Sequence, residues 1–198
     1  MNLVIIAGMP ASGKSTVATE LSQMLNLPII EKDHIKEELF DTLGFNNYAQ
    51  KRSMDVAATA VLLRVADDLL SCGQSLIMVN NFRDDAKEAV QHLIDKHRLK
   101  CVLVFFGGDS DVFYQRYVER DNKHLRHLGH VLQDRYPPLP GDSLDYEMTR
   151  DEFAMKFESL GMTSLDVTAE RIDIDATHPE TINVRALADQ ITRLLEQA

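Results

Sequence analysis

The run Gly8-Met9-Pro10-Ala11-Ser12-Gly13-Lys14-Ser15 fits the pattern G-x-x-x-x-G-K-[ST] in full. Residues of these types at this spacing suit the holding of a polyphosphate. Gly8 and Gly13 allow backbone angles that turn several N–H groups inward, with no side chain in the way. A helix that starts just after the loop adds the positive end of its dipole. Lys14 would set a compact cation between the β- and γ-phosphates, and the Ser15 hydroxyl is placed to bind Mg²⁺. Pro10, Ala11 and Ser12 form the turn around the phosphates, and Thr16 completes the set in the first helical turn. The loop predicts ATP and Mg²⁺ as ligands.

A phosphate loop alone does not separate kinases from switches or motors. A guanine reader of the form N-K-x-D is missing: Asn122-Lys123-His124-Leu125 lacks the acid. The apolar run before Asn80 ends in Asn80-Asn81 rather than in paired acids, so it offers no carboxylate there to activate water. A carboxylate does stand after the run Pro28-Ile29-Ile30, at Asp33. At the carboxyl edge of a strand it would face the crevice where α/β folds bind ligands, and it could take the proton of an acceptor hydroxyl. Capping a helix from Ile35 to Leu43 is the other use of an Asp here. Glu31 and His34 are expected at the surface or in a cap.

These groups need a scaffold, and the chain alternates short apolar runs with longer helical segments, the signature of a parallel α/β sheet. Strands are expected at Leu3–Ala7, Pro28–Ile30, Ser75–Val79, Cys101–Phe106 and Arg171–Asp175. Helices are expected at Lys14–Leu25, Ile35–Leu43, Arg52–Ser71, Asp84–His97, Asp109–Arg120 and Val184–Leu195. In the longest of these, Val56, Ala60, Leu63 and Ala66 recur at helical spacing. Right-handed crossovers place helices on both faces of the sheet, giving a three-layer sandwich. At 198 residues, the chain suits one domain spanning 1–198. The segment 121–142 is charged, rich in His and Pro, and too long for an ordinary connection. It reads as a mobile lid or as a disordered insertion.

The net charge of −10 argues against a broad nucleic-acid footprint. No run is long enough to span a membrane, and Cys72 and Cys101 read as free thiols in apolar surroundings, so a cytoplasmic protein is expected. His124, His127 and His130 recur every three residues, a spacing open to a metal site, to ligand contacts or to plain surface.

The phosphate loop, then Asp33-x-x-Lys36-Glu37-x-Leu39-Phe40, Asn80-Asn81-Phe82 and Arg126-His127-x-Gly129-His130, together resemble small P-loop kinases called AAA-family ATP-binding proteins. These are similar to the polynucleotide 5′-hydroxyl kinase domain, chloramphenicol phosphotransferase and zeta-toxin kinases. The resemblance implies a P-loop NTPase fold with a five-stranded sheet of order 2-3-1-4-5 and Asp33 as general base. It also implies Lys36 as a contact for an acceptor hydroxyl or phosphate. Arg116 and Arg120 share a helix face, Arg126 follows in the lid, and the resemblance places these arginines over the transferring phosphoryl group. It likewise makes Thr177 and His178 candidates for packing against adenine. Asn80 departs from the acid expected at its position, although an amide can hold a metal-bound water. The expected activity is transfer of the γ-phosphoryl group to a small hydroxyl acceptor. A nucleotide-binding regulatory ATPase and a polynucleotide 5′-hydroxyl kinase are the alternatives. Oligomeric state is not legible.

Overall fold

Along the first strand, β1 (Asn2–Gly8), successive side chains point to opposite faces, and both faces are buried. Val4 and Ile6 enter one apolar cluster, while Leu3, Ile5 and Ala7 enter a second. A strand covered on both sides belongs inside a sheet with helices above and below. The computed structural model, which describes residues 1–142, 144 and 148–197, has that arrangement.

After β1 come α1 (Lys14–Leu25), β2 (Ile29–Glu31), α2 (Lys32–Leu43), α3 (Tyr48–Ser71), β3 (Leu76–Val79) and α4 (Asp84–His97). Then follow β4 (Lys100–Gly107), α5 (Ser110–Asn122), α6 (Leu128–Val131), α7 (Arg150–Ser159), β5 (Glu170–Asp175) and α8 (Val184–Gln197). The five strands form one parallel sheet of order β2-β3-β1-β4-β5. One face carries α1, α5, α7 and α8, the other α3 and α4. The carboxyl ends of β1, β2 and β3 therefore open on the same edge, beside the phosphate loop. Gly8 is fixed by this packing: its φ is 127°, and a Cβ there would lie 2.1 Å from the Phe106 carbonyl oxygen of β4.

The fold class and strand order match the expectation, and four local features differ from it. First, α2 begins at Lys32, with Glu31 in the N-cap position, so Asp33 lies inside the first turn and does not cap the helix. Second, the buried stripe of α3 is Ala58, Leu62, Ala66 and Leu70, while Val56 and Ala60 are exposed. Both stripes have helical spacing, and only the position of the sheet chooses between them. Third, α7 was not foreseen. Its start carries a capping box, in which the Glu152 amide donates to Thr149 Oγ1 and the Thr149 amide donates to Glu152 Oε2. Phe153 and Phe157, one helical turn apart, then pack against Tyr117 of α5. Fourth, Cys72 is exposed, while burial pushes the Cys101 thiol up to about 12.

The segment 121–142 is also more firmly held than its composition suggests. Gly129, His130 and Val131 are buried against α2, and a Cβ on Gly129 would come within 2.3 Å of the Phe40 ring. The Lys51 ammonium of α3 donates to the His130 and Leu132 carbonyls. Phe45 and Tyr136 form a backbone bridge with both bonds at 2.8 Å. Among the described residues, no helix is long and apolar enough to cross a membrane.

Candidate active site

The turn between β1 and α1 places the phosphate-loop residues around a cavity at the sheet edge. Gly13 takes φ 85° and ends the loop as the N-cap of α1, which turns the first amides of the helix toward the cavity. Ala11 also sits at positive φ, 61°. The Lys14 ammonium is buried and donates to the Met9 carbonyl (2.6 Å) and to Ser12 Oγ (3.3 Å). Burial lowers its pKa to about 7, against the raising pull of Asp33 and Glu31. A cation desolvated in this way gains strongly from an arriving anion.

Across the cavity from the loop stand Glu31, Asp33 and Asn80. Ser15 Oγ donates a short hydrogen bond to Glu31 Oε1, and the Glu31 side chain keeps only 9% of its surface. Sequence reasoning places Glu31 at the surface or in a cap; it does hold the N-cap position of α2, but its side chain makes no cap bond and turns to Ser15 instead. The available signal was its place as the last residue of β2, the same edge argument that singled out Asp33. Asn80 is buried just after β3, its backbone N–H donating to the Ile6 carbonyl. The hydroxyl of Ser15, the carboxylate of Glu31 and the amide of Asn80 are hard oxygen donors of the kind Mg²⁺ takes. They share one cavity, so the residues present fit that ion.

Two of the three arginines expected above the phosphates line this cavity, and one does not. Arg120 reaches it from the last turn of α5 and Arg126 from the segment that follows. The Arg120 guanidinium lies 5.5 Å over Tyr117 and 3.5 Å from Asp121, and its Nε and one terminal nitrogen are buried without a hydrogen-bond partner. Burial lowers its pKa, assisted by Arg126. Arg116 instead donates to the Ala176 and Thr177 carbonyls at 2.8 and 2.6 Å, tying α5 to the turn after β5. Thr177 accepts from the Asp109 amide, and His178 is largely exposed opposite Glu180. That turn lies beside the loop, with Pro179 3.8 Å from where a Gly13 Cβ would be, but neither Thr177 nor His178 lines the phosphate cavity.

A second cavity adjoins the first, between α2, α3 and the segment carrying α6. Pro10, Asp33, Asn81 and Arg126 line both, so Asp33 stands at the junction. Its carboxylate lies 3.5 Å from Arg126 and keeps 39% of its side-chain surface. Burial works to raise its pKa, but His130, Arg126, Lys32 and Lys36 together hold it well below the usual carboxylate range. His130 is itself lowered to about 4, by burial and then by Arg126, so at neutral pH the cations that matter are the arginine and the lysines. Lys36 lines the second cavity with its ammonium on Asp55 at 2.7 Å. The three histidines do not act as one row: His127 pairs with Asp41, and His130 with Glu37.

Residues 3–135 match the AAA domain family. A shikimate kinase from Brucella canis is 26% identical over 189 residues, covering 86% of this chain and 84% of its own. A presumed kinase from Chloroflexus aurantiacus, seen in a crystal structure, superposes with TM-score 0.81 at 29% identity over 98% of both chains. A gluconokinase from Sinorhizobium meliloti shares the fold, with TM-score 0.61 at 16% identity over 99% of this chain and 94% of its own. With the phosphate loop, the sheet order and these similarities together, the chain belongs to the AAA domain family and is a P-loop ATP-dependent kinase.

Proposed function

We propose that this chain, acting as a single domain, transfers the γ-phosphoryl group of ATP to a hydroxyl of a small molecule held in the second cavity. The observation that carries this reading is Asp33 at the junction of two cavities, one lined by Lys14, Arg120 and Arg126, the other able to hold an acceptor. The Arg120 guanidinium supports it: its Nε faces Asp121, but its buried Nη2 has no hydrogen-bond partner, and an unbonded charged donor suits an anion.

In this mechanism the loop amides and Lys14 hold the β- and γ-phosphates, and Arg120 and Arg126 bracket the transferring group. Ser15, Glu31 and Asn80 would hold Mg²⁺, directly or through water, and the ion would neutralise charge on the β- and γ-oxygens. Asp33 orients the acceptor hydroxyl and receives its proton. In the free protein its carboxylate is a weak base because the cations around it favour the ionised form. Bound phosphates pair with Arg126, remove part of that field and raise its basicity. Phosphoryl transfer passes through a loose transition state, so the proton can leave late. Thr177, His178 and Arg116 belong to the nucleotide's far side in this reading, where they shape the turn next to the loop.

Asp33→Asn tests it. Phosphoryl transfer is expected to fall by about 10² to 10³, within the usual range for loss of a general base, while ATP affinity changes less than about threefold. Steady-state turnover and nucleotide titration on the same variant check this, and full turnover would remove Asp33 from the chemistry.

A further inference from the structure

The second cavity is unusual in its charge. Among the described residues that line it, Lys and Arg far outnumber Asp, whose only members are Asp33 and Asp55. Asp55, on α3 and mostly buried, is the hub. Its Oδ1 takes Lys32 at 2.8 Å and Lys36 at 2.7 Å, and its Oδ2 has Arg52 at 3.0 Å and Arg83 at 3.6 Å. Asp85 adds a second carboxylate, 3.2 Å from Arg52 and 3.7 Å from Arg83, but is largely exposed. Four cations thus share two carboxylates, only one of them well shielded from water. Lys51 and Lys156 line the same cavity and add to the surplus.

Other carboxylates offset only part of this surplus: Asp33 acts on Lys32 and Lys36, and Asp121 on Lys51 and Lys156. Arg83 Nε is buried without a hydrogen-bond partner. Burial lowers the pKa of Lys51 to about 7, with Lys36, Arg126 and Lys156 adding to the effect, and burial also lowers Lys36 and Lys156. Like charges gathered in a shielded cleft repel one another, and such clusters mark anion sites. The protein as a whole carries −10, so the cluster is local and does not follow from general basicity.

We propose that the acceptor is itself an anion: a hydroxy compound bearing a phosphate monoester, whose phosphate sits on Lys36, Arg52 and Arg83 while its hydroxyl reaches Asp33. The net positive charge of the cluster suits a phosphate monoester, which carries about −1.5 to −2 at neutral pH, better than a single carboxylate. Arginine forks and lysine point charges are both suited to phosphate oxygens. Asp55 serves as the internal counter-ion that keeps the four cations together when the pocket holds no acceptor. The proposal rests on the kinase reading only in taking this cavity as the acceptor's place.

Binding measured without turnover tests it separately. The full chain is first saturated with a non-hydrolysable ATP analogue and Mg²⁺, so that the phosphate loop is occupied. Inorganic phosphate, glycerol 3-phosphate, glycerate and glycerol are then titrated by calorimetry. Phosphate and glycerol 3-phosphate are expected to bind saturably and at least about tenfold more tightly than glycerate, with glycerol silent. Arg83→Gln should weaken glycerol 3-phosphate at least about tenfold and leave ATP-analogue affinity within about threefold. Asp55→Asn should have the opposite sign and tighten it, because the cluster loses its competing anion; a merely structural Asp55 would weaken binding. The proposal is overturned if no phosphate probe binds, if glycerate binds as tightly, if Arg83→Gln leaves affinity unchanged, or if Asp55→Asn weakens it. Phosphate binding with no hydroxyl compound phosphorylated would sink the kinase reading and keep the anion site. Turnover on a neutral acceptor with no phosphate binding would do the reverse.

Discussion

Lys14 carries two messages at the scale of one side chain. Its type and spacing name its role, but its electrostatic state follows from burial among neighbours distant in sequence. With no phosphate bound, its pKa is lowered to about 7, and an arriving polyphosphate restores the ammonium. ATP binding above neutral pH is therefore expected to take up a proton, approaching one per site near pH 8, and affinity should fall by about tenfold per pH unit there. Calorimetry in buffers of different ionisation enthalpy reads the uptake directly, and Lys14→Met should abolish it along with turnover. An uptake near zero at pH 8 would mean that the ammonium is already charged in the free loop. Folding responds with the opposite sign. A lysine depressed in the folded state binds fewer protons there than when unfolded, so Lys14 adds stability as pH rises from about 7 toward 10.5. Glu31 makes the complementary point: its place at the end of β2 marks it as an edge acid, but its bond to Ser15 is set by the tertiary structure.

At the scale of elements, the segment 121–142 packs on α2 and α3 through Gly129, His130 and the Lys51 ammonium. Gly129 sits so close to Phe40 that a Cβ there would lie 2.3 Å from its ring. Gly129→Ala should push α6 off α2, lower turnover several-fold and increase protease cutting within the segment, with the phosphate loop still binding nucleotide. Unchanged cutting would show that the docking is not held at this contact. His130 gives the same element a pH dependence. Its folded pKa of about 4 lies below the unfolded value of 6.5, so its contribution to stability is full above pH 6.5 and is lost as pH falls toward 4. The size is at most about 3 kcal/mol from a shift of this extent. Chemical denaturation across pH 6.5 to 4 should show a steep loss in the natural protein and a shallower one in His130→Gln. Parallel slopes would place the acid sensitivity elsewhere. Neither Phe40 nor Glu37 could be connected to this segment by spacing, since they meet it only through the packing of α2.

For the whole molecule, charge is divided between an acidic exterior and a cationic cleft. The net −10 makes long-range attraction to polynucleotides unfavourable, while the enclosed cluster around Asp55 can still hold a small anion. Excess single-stranded DNA or RNA at physiological salt is therefore expected to leave ATP turnover unchanged and to bind more weakly than micromolar. Strong inhibition, falling steeply with added salt, would point to a polynucleotide acceptor.

The sequence by itself determined the phosphate loop, the parallel α/β class and the ends of most helices. These follow from contiguous residues: glycines at fixed offsets, apolar runs of strand length, and helical periodicity. It also separated Asp33 from the bulk of the acids, because the end of a strand is visible locally. Which face of α3 turns inward, where Arg116 goes, and that Lys32, Lys36, Arg52 and Arg83 converge on Asp55 were decided only by the tertiary structure. Two stripes of helical spacing that meet at Ala66 compete on α3, and the sheet selects one. Arg116 and Arg120 share a helix face, yet only Arg120 is far enough along α5 to reach the cavity. The charge cluster joins the neighbouring helices α2 and α3 to Arg83 in the turn before α4, which reaches them because β2 and β3 pair at one side of the sheet.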